Sequence, residues 1–201
     1  MPRHKESERE KIQSETRQLL LQAAADEFAR EGYDGANINT ISQAAGFAKG
    51  TIYNYFPSKR ALMLALVDET AERHMEYVET RVMQEEDPRR RLERFFEAGF
   101  GFVTAHLAQS RVMLNAINGH DDELKEHLFL AYQPMFELVA RAIVAEGTAR
   151  GLFREVDPAS TAMLLMNIYL GTASQVDEEG QPWLDPAQVA DFALHALIKR
   201  D

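Results

Sequence analysis

The chain has no cysteine in its 201 residues. That excludes a disulfide framework, thiol catalysis, and zinc or iron–sulfur sites built on thiolates. No apolar run approaches the 18 residues a bilayer span needs, so no membrane partner is expected. The opening stretch MPRHKESEREK has no apolar core region and is not expected to be a signal peptide. A nucleophile elbow, a phosphate-binding P-loop, a dinucleotide fingerprint and a zincin pair are also missing. The sequence therefore predicts a cytoplasmic protein that is not an enzyme and has no cofactor and no metal. His120, Asp121, Asp122, Glu123 and His127 cluster locally, but the histidines stand about two turns apart and no carboxylate completes a ligand set. An acidic first helical turn explains those carboxylates.

The rarest feature is local. Between Asp34 and Asp68 there is no carboxylate at all, where the chain's average acid content predicts about five. The formal net charge is -10, which alone argues against a polyanionic partner. Its distribution argues the opposite. Residues 1–60 carry 9 basic and 8 acidic side chains, and the rest carry 13 and 24. The acid-free interval holds Lys49, Lys59 and Arg60 and suits a surface that approaches phosphate; chance depletion in a small apolar segment is the alternative.

Apolar spacing predicts helices almost throughout, with no sustained period-two alternation, so the fold class is all-α. Ser7 and Glu10 are spaced as a capping box, and Leu20, Leu21, Ala24 and Phe28 form the inner face of a first helix that Gly32 stops. Asn37 caps a second helix, ended by Gly46. A third runs from about Lys49 to Phe56, and Pro57 ends it. Ser58 caps a fourth, to about Glu86. Pro88 opens a fifth, to about Ala108, and residues 109–118 form a sixth. A long seventh spans about Asp121 to Arg150 with a predicted kink at Pro134. Asp157-Pro158 and Asp185-Pro186 open the last two.

Residues 37–60 carry the most information. Two short helices joined by a glycine turn, then a capped helix, are the elements of a helix-turn-helix. In KGTIYNYF only Ile52 and Phe56 are residues of a core type. Lys49, Gly50, Thr51, Tyr53, Asn54 and Tyr55 occupy the remaining surface and suit phosphates or base edges. A connector helix with surface tyrosines is the structural alternative.

The run TRQLLLQAAADEFAREGYDGANINTISQAAGFAKGTIYNYFPSKRAL resembles the DNA-binding domain of the tetracycline-repressor (TetR) family over residues 16 to 62. The shared positions are Arg17, Ala23, Ala24, Phe28, Gly32 and Tyr33, then Ile41, Ala44, Ala45 and Gly46, then Gly50 to Tyr53, Tyr55, Phe56, Lys59 and Leu62. The resemblance implies a helix-turn-helix DNA-binding domain over residues 1–60 and a helical effector-binding and dimerisation domain over residues 61–201. It implies a homodimeric repressor that binds a palindromic double-stranded operator and is released by a ligand. Lys49, Gly50, Tyr53 and Asn54 would face base edges, and Thr51, Tyr55, Lys59 and Asn37 would hold phosphates. Ala48 departs from the family pattern of Ser or Thr, leaving the recognition helix without its usual side-chain cap, worth about 1 kcal/mol. Arg3, Lys5, Arg9 and Lys11 are candidates for non-specific affinity, although interleaved Glu6, Glu8 and Glu10 equally suit a solvated helical extension.

The remainder must supply dimerisation and sensing. AMLLMNIYLG, residues 162–171, is apolar nearly all round and must be covered on more than one side. With the last helix it nominates Met163, Leu170, Val189, Phe192, Ala193 and Ala196 as dimer contacts; filling a monomer core is the other use for them. Phe96, Phe100, Met113, Tyr132, Phe136, Met166 and Tyr169 are candidates for contacting an apolar or aromatic effector between the fifth and eighth helices. Asn115, Asn118, His106 and Asn167 would add polar contacts, and Gly99 and Gly101 would leave room. The remaining readings are a DNA-binding dimer with no effector, or a helical small-molecule binding protein or enzyme.

Overall fold

A 33-residue helix, α1 (Arg3–Gly35), opens the computed structural model, which describes residues 3–177 and 180–199. It is already helical before Ser7, so the expected capping box does not start it. Gly32 leaves helical geometry at φ 71° and ψ 175°, a conformation that glycine adopts without penalty. The chain continues as α2 (Ile38–Ala44), a 3-10 turn at Thr51–Asn54, α3 (Lys59–Val82), α4 (Pro88–Ala105) and α5 (Leu107–Asn118). It ends with α6 (Asp122–Leu138), a π-helical segment at Val139–Ala145, α7 (Glu146–Ala149), α8 (Pro158–Ala173) and α9 (Pro186–Leu197). Among the described residues the only β pairing is two isolated bridges, so the fold is all-α as expected.

The starts follow the caps. Asn37, Ser58, Asp87, Asp121, Asp157 and Asp185 each accept a backbone N–H from the first turn of the helix they precede. Pro88, Pro158 and Pro186 sit just inside, where a missing N–H loses no helical bond.

One expectation fails. The segment Lys49–Phe56 is not a regular helix but a single 3-10 turn, entered through Gly50 at φ 86° without a side-chain cap. At Pro134 the helix continues. α6 runs through it, since Pro134 and Leu130 are exposed and water can satisfy the freed carbonyl. The irregularity falls later, in the π segment.

The run Asp122–Ala149 is 28 residues long and, by length and composition alone, apolar enough to cross a membrane, contrary to the expectation from run lengths. Part of its apolar surface is used inside the protein: Leu124 and Leu128 enter one core, and Met135, Leu138, Val139, Ile143 and Val144 enter the other, whereas Phe129 and Leu130 stay exposed.

The first core joins α1, α2 and the 3-10 turn to the start of α3, to α5 and to the start of α6, through Leu20, Phe28, Ile41, Ile52, Phe56, Leu66, Val112 and Leu128. The second lies among α3, α4, the π segment, α8 and α9. Polar ties reinforce the first: Arg17 meets Glu69 at 3.1 Å, and Gln109 donates to Gln22 at 2.7 Å.

Candidate nucleic-acid interface and effector cavity

In the segment 37–60, burial separates scaffold from surface. Ile41, Ile52 and Phe56 are buried, and the buried Ser42 hydroxyl donates to the Ala48 carbonyl at 2.7 Å, tying α2 to the turn after it. Glycine at φ 85°, Gly46, makes that turn. The side chains left outside are Lys49, Tyr53 and Asn54, which are exposed, and Thr51 and Tyr55, which are half-buried; Gly50 lies between them. This is one surface of donors and aromatic hydroxyls with no carboxylate of its own.

Two of the expected phosphate contacts already have structural work. Asn37 caps α2 through its side chain, while its backbone N–H donates to buried Glu27 at 3.2 Å. Lys59 donates to the carbonyls of Asp34 and Ala36, both at 3.0 Å, and lies 5.0 Å from the Tyr33 ring centre. Its third N–H remains for another acceptor. Arg9 and Lys11 are exposed on α1, with Lys11 3.9 Å from Glu15. The side chains of Arg3 and Lys5 lie outside the described residues.

Within the His120–His127 cluster, Asp121 and His127 have partners of their own. Asp121 caps α6 and pairs with Arg60, whose guanidinium holds its carboxyl below the usual range. His127 meets Asp68 at 2.7 Å. Among the described residues, no group of three or more His, Cys, Asp or Glu is placed to hold a metal.

A cavity of about 540 Å3 opens between α5, α6 and α8, with α3 and α4 contributing His74 and Val103. It borders the second core through Val103, Met135, Tyr169 and Ala173, and because Val103 is the α4 residue among those lining it, it does not lie simply between α4 and α8. Met113, Tyr132, Phe136, Met166 and Tyr169 line it. Phe96 and Phe100 do not: both are fully buried, with Phe96 5.2 Å from Phe95 and Phe100 6.2 Å from Tyr169 between ring centres. Four phenylalanines on one helix could not all point one way. The space expected at Gly99 is filled by the Tyr169 ring, which would lie 2.5 Å from an added Cβ. Of the expected polar contacts only Asn167 lines the cavity; Asn115, Asn118 and His106 do not.

His74 was missed by the sequence reading. It is buried and stacks on Phe102 at 4.2 Å. Its Nδ1 is 3.3 Å from the Tyr132 hydroxyl and its Nε2 3.1 Å from that of Tyr169, which also donates to the Gly99 carbonyl at 3.2 Å. Burial lowers the imidazole pKa to about 3, helped by nearby His106, so it is neutral at pH 7. Burial likewise pushes both phenols above their usual value. One signal was available. His74 continues the stripe Val67, Ala71, Val78 of α3 at helical spacing, so it had to face inward.

The nominated dimer residues divide. Val189 and Ala193 are buried in the protomer's own core beneath α4. Phe192 and Ala196, which border them on the same helix, are exposed. Met163 is 48% exposed and, with half-buried Leu170, lines the cavity. Leu164, not nominated, is 65% exposed and Phe192 69%.

Comparisons with known proteins agree with one another. Residues 20–66 match the family described as "Bacterial regulatory proteins, tetR family", and residues 85–199 match "Tetracyclin repressor-like, C-terminal domain". The HTH-type transcriptional regulator EthR of Mycolicibacterium smegmatis is 30% identical over 166 residues, which are 81% of this chain and 75% of that protein. Among solved structures, the transcriptional regulator FadR from Bacillus subtilis in complex with stearoyl-CoA superposes with a TM-score of 0.79 at 20% identity, covering 90% of this chain and 97% of that one. AibR in complex with isovaleryl coenzyme A and operator DNA gives 0.72 at 21%, covering 91% and 98%. At such identities the two structures show a shared fold.

Proposed function

Because this chain belongs to the tetracycline-repressor family of bacterial DNA-binding transcriptional regulators, we propose that it acts in the cytoplasm as a homodimeric repressor, binding a palindromic operator and leaving it when an apolar small molecule fills the cavity. The observation that carries this reading is a carboxylate-free helix-turn-helix surface on the same first core that reaches the cavity helices α5 and α6. Lys49, Gly50, Tyr53 and Asn54 read base edges, and Thr51, Tyr55, the remaining donor of Lys59 and Asn37 position the phosphates.

Two copies meet through exposed Met163, Leu164, Phe192 and Ala196, which places two reading surfaces on two half-sites. Met113, Tyr132, Phe136, Met166 and Tyr169 contact the effector. Occupancy favours a conformer whose two reading surfaces are wrongly spaced for the operator. Some fold relatives were solved with acyl-CoA ligands, which is in keeping with a ligand-responsive body.

The test is a gel shift on the DNA upstream of the protein's own gene. Tyr53→Ala and Lys49→Ala should each abolish the specific shift at physiological salt while leaving far-UV circular dichroism and dimer mass unchanged. A specific footprint retained by either variant refutes the assignment.

A further inference from the structure

Resting on the reading of this cavity as an effector site, we propose that it selects an uncharged apolar molecule carrying one hydroxyl or amide N–H, read by the Tyr132–His74–Tyr169 relay, and that it rejects carboxylates and coenzyme A thioesters.

The argument starts from the protons. Tyr169 has one hydroxyl proton, and it points to the Gly99 carbonyl. Its contact with His74 Nε2 must then be donated by the imidazole. That leaves Nδ1 bare, and it accepts from the Tyr132 hydroxyl. Only this tautomer makes all three contacts at once. Every proton of the relay is thereby used, and its unfilled capacity is chiefly the lone pairs of the Tyr132 hydroxyl oxygen, a lining residue that only donates here, since the buried Tyr169 oxygen already accepts from Nε2. A ligand donor completes the relay.

Charge points the same way. His74 is neutral, so the inner end offers no cation to a carboxylate, and an unpaired charge there loses its hydration without compensation. Among the described residues, Lys125 is the only lysine or arginine lining the cavity. It stands beside Glu126, another lining residue, and 3.4 Å from Asp122. Among the described residues that line it, no basic cluster awaits the phosphates of a coenzyme A. The rest of the wall is mostly apolar, with Met113, Leu114, Leu128, Met135 and Met166, and its other polar members, Ser110, Gln133, Asn167 and Ser174, are uncharged; the volume suits a drug-sized molecule.

The test uses the full chain with N-phenyl-1-naphthylamine as a neutral fluorescent reporter, displaced at pH 7.5 by 1-dodecanol, dodecyl methyl ether, dodecanoate or dodecanoyl-CoA. The alcohol should compete about ten-fold better than the ether, the fold-change of one hydrogen bond. It should also compete at least about ten-fold better than the acid or the thioester. Because Tyr132→Phe alone would free His74 Nδ1 to accept from the alcohol, the variant is Tyr132→Phe combined with His74→Leu, which should bring alcohol and ether to parity while still binding the reporter. Equal or better competition by dodecanoate or dodecanoyl-CoA overturns the proposal, as does an alcohol preference that survives in this double variant. The comparison of alcohol with acid requires no variant, so a poorly folding double variant leaves it decisive. If the reporter fails to bind, or binds Met166→Trp as well as wild type, the cavity reading itself falls.

Discussion

Neutral, buried His74 sets a pH dependence of stability whose sign and size follow from its surroundings. The folded pKa is about 3, against about 6.5 in the unfolded chain. Between those values the unfolded state binds the extra proton, so stability rises with pH. The contribution is fully present above about pH 6.5 and is lost as the pH falls toward 3. Integrated from pH 7.5 to pH 5, the loss is about 2 kcal/mol, or about 4–8 °C in Tm for a chain of this size. Carboxylates and the other histidines titrate in the same range, and His106 is shifted in the same direction, so the measurement is a difference. His74→Gln keeps a donor for Tyr169 and an acceptor for Tyr132 but cannot titrate. Urea unfolding of both proteins at fixed concentration should give curves that diverge by about 2 kcal/mol over this interval, wild type falling more steeply. Curves parallel within about 0.5 kcal/mol would refute the buried neutral imidazole.

Other consequences follow from packing. Gly99→Ala places a Cβ against the Tyr169 ring, which Phe95 and Phe100 flank; it should cost about 1–3 kcal/mol in urea unfolding. Gly171→Ala, on α8 with open space around it, should instead stabilise by about 0.5–1 kcal/mol. Leu164→Glu combined with Phe192→Glu should convert a micromolar dimer to monomer in sedimentation velocity with the helical signal unchanged. A persisting dimer would move the interface elsewhere.

What could be read from the sequence was whatever is local. Asp87-Pro88, Asp157-Pro158 and Asp185-Pro186 each combine a cap with a proline at the first turn, and each opens a helix where it stands. Ile52 and Phe56 were recognisable as the inward pair of the reading segment. The 3-10 geometry of that segment was not, because Gly50 leaves the α region in a way that spacing does not reveal. Long-range assembly was hidden as well. His74 meets partners 58 and 95 residues away. The last helix carries Val189, Phe192, Ala193, Ala196 and Leu197 on one broad stripe, and only the packing against α4 separates Val189 and Ala193, inside, from Phe192, outside.

The central claim is that this acidic chain reads DNA as a two-fold dimer through its longest acid-free segment. Selection of bound sequences from a random duplex library by the full-length protein tests it most directly. The account predicts a recovered palindrome whose half-sites lie about one or more helical turns apart, bound more weakly as salt rises and lost from Tyr53→Ala. Recovery of no enriched sequence, or of a single unrepeated half-site bound by monomer, would contradict it.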